Sequence, residues 1–169
     1  GLKKIRAVVV KLTLVLTIFG VILSTLHQSS LGALFMIVPS KLHPLWYSSY
    51  LPVYFFISSM FAGMSMVIFE GSLAHRHLKY KMDETHLKES TGVALGFAKA
   101  ASLVMMGYVS IKIIGLAIDN SWHYLSTGWG LWFLFELVGF VLFPAILYAV
   151  GSREKNLFLI RLASVWTVL

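Results

Sequence analysis

The sequence contains no cysteine among its 169 residues. This absence excludes disulfides, thiolate metal sites and cysteine-ligated iron–sulfur clusters built from these residues. Charged residues are also scarce: they make up 12% of the sequence, whereas about a quarter of an ordinary soluble domain is charged. Hydrophobic residues, in contrast, account for 58%, and the mean hydropathy is +0.81. The composition therefore predicts an integral membrane protein.

Acidic residues are few, with 7 Asp and Glu against 14 Lys and Arg, which gives a formal net charge of +7. A basic chain can bind nucleic acid, but here the basic residues occur in short segments between apolar runs. We interpret them as markers of membrane topology and expect no nucleic-acid partner. The sequence also lacks a phosphate-binding loop, a nucleophile elbow and an HExxH motif, so it shows no sign of the enzyme classes that these motifs mark.

The apolar runs are long enough for membrane-spanning helices, which need about 20 residues each. They predict an all-α fold: a polytopic transmembrane helix bundle of four full spans plus a truncated fifth, in a single integral membrane domain over residues 1–169. The expected spans are 7–26 with a possible extension to 38, 52–73, 91–118, 128–150 with a kink at Pro144, and a run from about 156. Since this last run is only about thirteen residues long, we expect a piece of a longer protein.

Basic residues alternate between the two ends of these spans. The segments before the first span, between the second and third, and after the fourth contain nine of them: Lys3, Lys4, Arg6, Arg76, Lys79, Lys81, Lys88, Arg153 and Lys155. The two remaining loops contain one, Lys41. By the positive-inside rule, we expect the residue 1 end and the 74–90 linker to be cytoplasmic and the 39–51 loop to be outside.

A dense polar cluster interrupts the first apolar run; its members are Ser24, Thr25, His27, Gln28, Ser29 and Ser30. At helical rise His27 lies about 30 Å from the inner end of the helix, near the outer boundary of the hydrocarbon core. Helical spacing predicts that Ser24, His27, Gln28 and Leu31 share a face. An imidazole beside an amide can bond a carbonyl and exchange a proton, which is what a quinone requires.

The aromatic loop that follows could form the wall of such a site. Trp46, Tyr47 and Tyr50 would flank a flat ring, and His43 lies on the same expected side as His27. A simpler interpretation is that the cluster is the interfacial end of a helix, with His27 bonding the backbone and His43 structural beside Pro44. The residues alone leave both interpretations open.

Four charged residues fall inside apolar runs. Glu70 and Lys99 are expected in the inner third of the membrane, and Lys112 and Glu136 in its outer half. Buried charges of this kind predict two intramembrane ion pairs, or steps of a polar track through the bundle. Alternatively, the lysines extend to the interface and the glutamates are neutral or face water.

Haem and metal sites receive little support. A bis-histidine haem needs two imidazoles at one depth, and His27 is the only histidine near an apolar run, since His43 and His123 lie in loops. We expect no haem in this chain. His75, His77 and His86 with Asp83 and Glu84 could bind a metal, but a solvated polar linker explains them better, and no metal site is expected.

The run from Ser24 to Glu70 resembles the membrane subunit of hydrogenase-2-type enzymes (HybB-like), within the wider NrfD and polysulfide reductase membrane-subunit family. The resemblance depends on the His-Gln-Ser-Ser-Leu-Gly core at 27–32 and on Lys-Leu-His-Pro-Leu-Trp at 41–46. The helices after this run fit the family more loosely.

This resemblance implies a haem-free subunit of a bacterial or archaeal inner membrane. Such a subunit exchanges electrons between a menaquinone or ubiquinone pool and a ferredoxin-like iron–sulfur subunit on the outer face, which serves a hydrogenase-type catalytic subunit. By motif position, His27, Gln28 and the neighbouring serines would form the quinone site. By location only, Glu70 and Glu136 are candidates for a proton path.

Two other functional classes stay open at the level of sequence. One is a membrane transporter or anchor without redox function, in which the polar cluster binds a solute or only packs. The other is a haem b-containing membrane anchor. Copurification with an iron–sulfur subunit, protection by a quinone analogue and a Soret band would separate the three.

Overall fold

A computed structural model describes the backbone of residues 2–78 and 84–169, and the side chains at 6, 8–75 and 89–169. Every regular element in this part of the chain is helical. The helices are α1 (Leu2–Met36), α2 (Leu51–Leu78), α3 (Glu84–Ile118), α4 (Gly128–Phe135), α5 (Phe143–Arg153) and α6 (Leu157–Val168). Short 3-10 turns occupy Pro39–Lys41 and Ser121–Ser126, and a π-helical turn, Glu136–Leu142, joins α4 to α5.

Four helical segments in the described residues are long and apolar enough to cross a membrane. They are Val8–Met36, Leu51–His75, Glu89–Ile118 and Gly128–Arg153, and α6 is a shorter apolar helix. The predicted all-α polytopic bundle is therefore confirmed. Below, the loop side is the end of the bundle with residues 37–50 and 119–127, and the linker side is the end where α2 and α3 meet the 79–83 segment.

Helix α1 continues through the polar cluster without a break. No proline lies between Ser24 and Met36. The Thr25 hydroxyl donates to the carbonyls of Val21 and Ile22 in the preceding turn, at 3.0 and 2.9 Å. Such local bonds satisfy a polar side chain without ending a helix. The longer of the two predicted extents of the first span is thus the observed one, within two residues of Val38.

The disturbance predicted at Pro144 takes the form of the π-helical turn. Proline lacks an N–H and its ring crowds the carbonyl four residues earlier, and Pro144 lies in the first turn of α5. The turn just before it uses wider bonds, such as that from the Phe143 N–H to the Val138 carbonyl. The fourth span therefore crosses as α4, π turn and α5 in succession.

The core lies where α2, α3, α5 and α6 meet. Alanines at 98, 101, 145 and 163 are fully buried there, and such small residues let helix backbones approach closely. Tyr148 and Ser65, also fully buried, satisfy each other through a 2.9 Å hydrogen bond from the tyrosine hydroxyl to the serine oxygen. This core holds the four helices in fixed register.

Helix α1 contacts this bundle only near its loop-side end. Gly32 is buried with no room for a side chain, because the carbonyl of Leu51 and the Cα of Pro52 lie directly against it. Phe35 packs on Phe55 with ring centroids 5.8 Å apart. The large apolar side chains of the preceding stretch, from Val8 to Leu26, are exposed in the described chain.

Candidate functional site

A cleft of about 250 Å³ opens on the loop side, and we call it the loop-side cleft. Its walls come from the end of α1, the 37–50 loop, α2, α3 and the π turn. Aromatic rings dominate the lining, and two charged side chains reach it: Phe35, Leu42, Trp46, Leu51, Tyr54, Phe55, Ser58, Tyr108, Lys112 and Glu136. This combination of apolar walls with a few polar groups is typical of small-molecule sites.

Lys112 is the charged group most enclosed by the cleft walls. Only 9% of its surface is exposed. Its Nζ lies 4.5 Å from the ring centroid of Tyr54, 5.4 Å from that of Phe133 and 6.0 Å from that of Tyr108. The negative faces of aromatic rings attract a cation at these distances. Among the described residues, no hydrogen bond or ion pair involves Lys112.

Glu136 faces the same cleft from the first residue of the π turn. Its Oε2 accepts a 2.8 Å hydrogen bond from Nε1 of Trp46, 90 residues earlier. This bond fixes the 37–50 loop to the fourth span. The side chain is exposed at the mouth of the cleft.

The predicted Lys112–Glu136 pair is therefore only partly observed. The two residues share one cleft, but no ion pair joins them in the described structure. The partner of Glu136 is the indole of Trp46, and the surroundings of Lys112 are three rings. The structure thus places both charged side chains on the cleft wall.

Two tyrosines complete the polar lining. Tyr54 is buried and donates to the Ile111 carbonyl at 3.4 Å. Gly115 leaves room for this hydroxyl, since a Cβ there would collide with it. Tyr108 reaches the cleft, and no described residue hydrogen-bonds its hydroxyl. The cleft thus offers a hydroxyl donor beside an ammonium group.

His43 lies next to the cleft, inside an aromatic cluster. Its ring is 5.8 Å from Trp46, 5.5 Å from Tyr124 and 6.0 Å from Trp129, measured between centroids. Its Nδ1 accepts a 3.3 Å hydrogen bond from the Leu45 N–H. This arrangement stabilises the loop that presents Trp46, which agrees with the structural interpretation of His43. Tyr47 packs nearby, with its hydroxyl donating to the Met36 carbonyl at 3.4 Å.

His27 does not reach the loop-side cleft. The side of α1 that packs is formed by half-buried Thr25, Gln28 and Ser29 and by Gly32, whereas Ser24, His27 and Ser30 are exposed. Neighbouring residues on a helix differ in direction by about 100°. His27 and Gln28 thus differ in burial, and their convergence on one ligand and the role of the cluster in binding quinone stay predictions.

Glu70 and Lys99 are not brought together either. Both side chains are exposed, and neither makes an ion pair with a described residue. The predicted pair on the linker side is thus absent from the described residues. The proposed contribution of Glu70 to a proton path stays a prediction.

The metal-binding possibility concerns residues that are mostly outside the described side chains, namely His77, Asp83, Glu84 and His86. Within the described side chains, no group of three or more potential ligands is close enough to hold an ion. His75 is half-buried and lines a second cleft on the linker side.

Sequence reasoning missed the aromatic walls of the cleft. Tyr54 and Tyr108 lie at loop-side depth on α2 and α3, and so does Lys112. The rise of 1.5 Å per residue along each helix would have been enough to predict that these three side chains lie at a similar depth. It could not show that Phe35 of α1 also reaches them, since that depends on the close approach of α1 at Gly32.

Comparison with known proteins places this arrangement in a family. The chain is 70% identical over all 169 residues to a protein of Nitratidesulfovibrio vulgaris (strain Hildenborough), of which it covers 44%. Over 61 residues, 36% of the chain, it is 44% identical to a protein of Escherichia coli K12 named "Probable Ni/Fe-hydrogenase 2 b-type cytochrome subunit", of which it covers 16%.

The chain thus spans less than half the length of these curated relatives. No solved structure matches it. The family model described as "Polysulphide reductase, NrfD" matches residues 2–169. The chain therefore belongs to the NrfD polysulphide reductase family of multi-pass membrane proteins.

Proposed function

We propose that this chain is part of a quinone-reactive integral subunit of an oxidoreductase complex. The subunit passes electrons between the membrane quinone pool and an iron–sulfur subunit docked on the loop side. The observation that supports this most directly is the loop-side cleft, where Lys112 is surrounded by three aromatic rings and has no anionic partner among the described residues.

The walls of the cleft suit a flat, apolar ring. Phe35, Phe55 and Tyr108 provide aromatic surface, and the volume of about 250 Å³ is at the scale of a ring with its substituents. Most of the lining belongs to the membrane-spanning segments, and Leu42 and Trp46 of the 37–50 loop form the rest. A carrier dissolved in the bilayer can therefore enter without crossing water.

The polar groups suit the chemistry of a quinone. Reduction of a quinone takes up two electrons and two protons, and its oxygens become negative before they are protonated. A fixed ammonium group in a water-poor site stabilises developing negative charge on an oxygen. Lys112 would do so at one carbonyl, with the Tyr108 hydroxyl as a donor, while Glu136 at the mouth would deliver or accept protons.

The partners are proposed from the family and from one relative. The Escherichia coli protein is named a probable Ni/Fe-hydrogenase 2 cytochrome subunit, and we propose a ferredoxin-like iron–sulfur subunit with a hydrogenase-type catalytic subunit here. We propose the inner membrane of a bacterium or archaeon as the location. By the positive-inside rule, the loop side would face the outside of the cell. The loop side would then be the docking face.

The name of that relative includes a b-type cytochrome, which is a haem protein. A bis-histidine site requires two facing imidazoles. His27 is exposed on α1, and His43 is enclosed by Trp46, Tyr124 and Trp129. The proposed electron path uses no haem in this chain.

The test compares two lysines of the same helix in the complete complex. Lys112→Met should lower quinone-linked turnover by on the order of 100-fold, because the fixed charge is lost, while turnover with an artificial dye stays unchanged. Lys99→Met is the matched control, since Lys99 is exposed on α3 and outside the cleft. Equal quinone-linked turnover in both variants would overturn the proposal.

His27→Ala, measured in the same assay, separates the two predicted sites. If the polar cluster of α1 binds the quinone, this variant loses quinone-linked turnover and Lys112→Met does not. If the loop-side cleft binds it, the result is reversed. Loss in both variants would mean that the quinone touches α1 and the cleft in the complete protein.

A further inference from the structure

A second cleft opens at the opposite end of the bundle and has a different lining. It lies between α2, α3 and α6 and has a volume of about 200 Å³. No residue is shared with the loop-side cleft. We call it the linker-side cleft.

Arg161 is the charged group on the wall of this cleft. It lies one turn into α6, and its side chain is half-buried. No described residue forms an ion pair or a hydrogen bond with its guanidinium. A guanidinium has five N–H donors, and one that is half-buried and unpaired can bind an oxyanion such as a carboxylate or a phosphate.

Further polar groups lie on the same wall. His75, near the end of α2, is half-buried, and the structure gives it no hydrogen bond or ion pair with a described residue. The hydroxyl of Ser72 also lines the cleft. All three side chains belong to the last turns of α2 or the first turns of α6. They therefore lie at the depth where a bilayer changes from hydrocarbon to headgroups.

Ser90 and Thr91 also line the cleft, and the remaining lining residues are apolar. Val67 and Val93 line the cleft and are 46% and 52% exposed. Val67 is two turns deeper along α2 than His75. An apolar groove thus leads from the polar end of the cleft toward the middle of the membrane.

We propose that the linker-side cleft binds an anionic phospholipid, with its phosphate at Arg161 and His75 and an acyl chain along Val67 and Val93. A free phosphate would satisfy the arginine but leave the apolar groove uncovered. The 74–90 linker is also basic in sequence, with Arg76, Lys79, Lys81 and Lys88. Basic rims between transmembrane helices favour anionic headgroups.

The first test measures lipid retention by native mass spectrometry of the complete complex in detergent. Phosphatidylglycerol, phosphatidylethanolamine and inorganic phosphate are added separately. We expect Arg161→Gln to lower phosphatidylglycerol retention about fivefold, the effect of one basic residue at a membrane surface. Arg153→Gln, an exposed arginine on the same side outside the cleft, should retain the lipid.

Three results would overturn the proposal. One is equal retention in the two arginine variants. Another is equal retention of phosphatidylethanolamine, which would show that the net negative charge of the headgroup is not selected. The third is displacement of the lipid by inorganic phosphate, which would identify a soluble anion as the ligand.

The second test fills the groove without touching the charge. An added Cβ at Gly71, which lines the cleft, meets nothing within 4 Å, and the same holds at Gly63 on the same helix outside the cleft. Gly71→Leu should therefore fold and exclude the acyl chain, with a loss of phosphatidylglycerol, while Gly63→Leu retains it. Retention of phosphatidylglycerol by Gly71→Leu would contradict the assignment of the groove to an acyl chain. This conclusion does not depend on the quinone-linked turnover of the variant.

Discussion

Lys112 is held in the bundle by aromatic rings and not by a carboxylate. From the sequence, Lys112 and Glu136 were expected at a similar depth, which predicted an ion pair between them. The alternative was that the Lys112 side chain extends to the membrane interface. Neither describes the result, because the rings of Tyr54, Tyr108 and Phe133 come from three different spans. Which rings meet a lysine depends on the packing of the helices, and spacing along one helix does not contain that information.

The fit between Gly115 and Tyr54 gives a prediction about stability. A Cβ at Gly115 would collide with the Tyr54 hydroxyl oxygen, while the next atom of that ring is 3.6 Å away. Gly115→Ala should therefore lower the free energy of unfolding by about 1–3 kcal/mol, the usual cost of an overpacked core. Thermal unfolding of the purified complex measures it.

The matching double variant shows whether the hydroxyl is the cause. Tyr54→Phe removes only the colliding oxygen, so Gly115→Ala combined with Tyr54→Phe should unfold near the temperature of Tyr54→Phe alone. A double-mutant cycle isolates this coupling. Additive losses would show that Gly115 is required for another reason, such as the backbone path of α3.

At the scale of helices, the sequence predicted where the spans lie but not which face of α1 packs. The polar cluster was expected to present His27 and Gln28 together. The observed face is set by Gly32, where the absence of a side chain lets the backbone of α2 make contact. Gln28, one turn before Gly32, shares that face, and His27 does not. A glycine's role in close helix contact becomes evident only when its partner helix is known.

The approach of α1 to α2 predicts a difference between two glycines of one helix. Gly32→Leu should separate the helices, because a Cβ there meets the Leu51 carbonyl and the Pro52 Cα at 2.8 Å. Since Phe35 lines the loop-side cleft from the same helix end, the KM for quinone should rise as well. We expect a stability loss of about 1–3 kcal/mol or more.

Gly20→Leu is the control for this variant. Gly20 is on α1, and a Cβ there meets nothing within 4 Å, so both stability and KM should stay near those of the parent. The measurements are thermal unfolding and quinone-linked kinetics of the complete complex. A Gly32→Leu protein as stable as Gly20→Leu would show that the contact between α1 and α2 is not needed.

At the scale of the whole molecule, hydropathy was sufficient to predict the class of fold. Apolar runs of about 20 residues have few alternatives to transmembrane helices. The hydrocarbon core offers no hydrogen-bond partner, so the backbone N–H and C=O groups must pair with one another within the helix. The interruption near Pro144 was also predicted from its chemistry, although its form as a π turn was not. The clefts were not predicted, because each is bounded by three or more elements.

The orientation predicted from the distribution of the basic residues can be tested with thiol labelling. This chain contains no cysteine, so single cysteines can be introduced at exposed Ser49, in the 37–50 loop, and at exposed Glu154, after α5. In intact cells with any other cysteine of the complete protein replaced, a membrane-impermeant maleimide should label Ser49→Cys. Glu154→Cys should react only after the membrane is permeabilised, because nine basic residues predict a cytoplasmic linker side. The reverse pattern would place the loop-side cleft at the cytoplasmic face and require its redox partner to dock there.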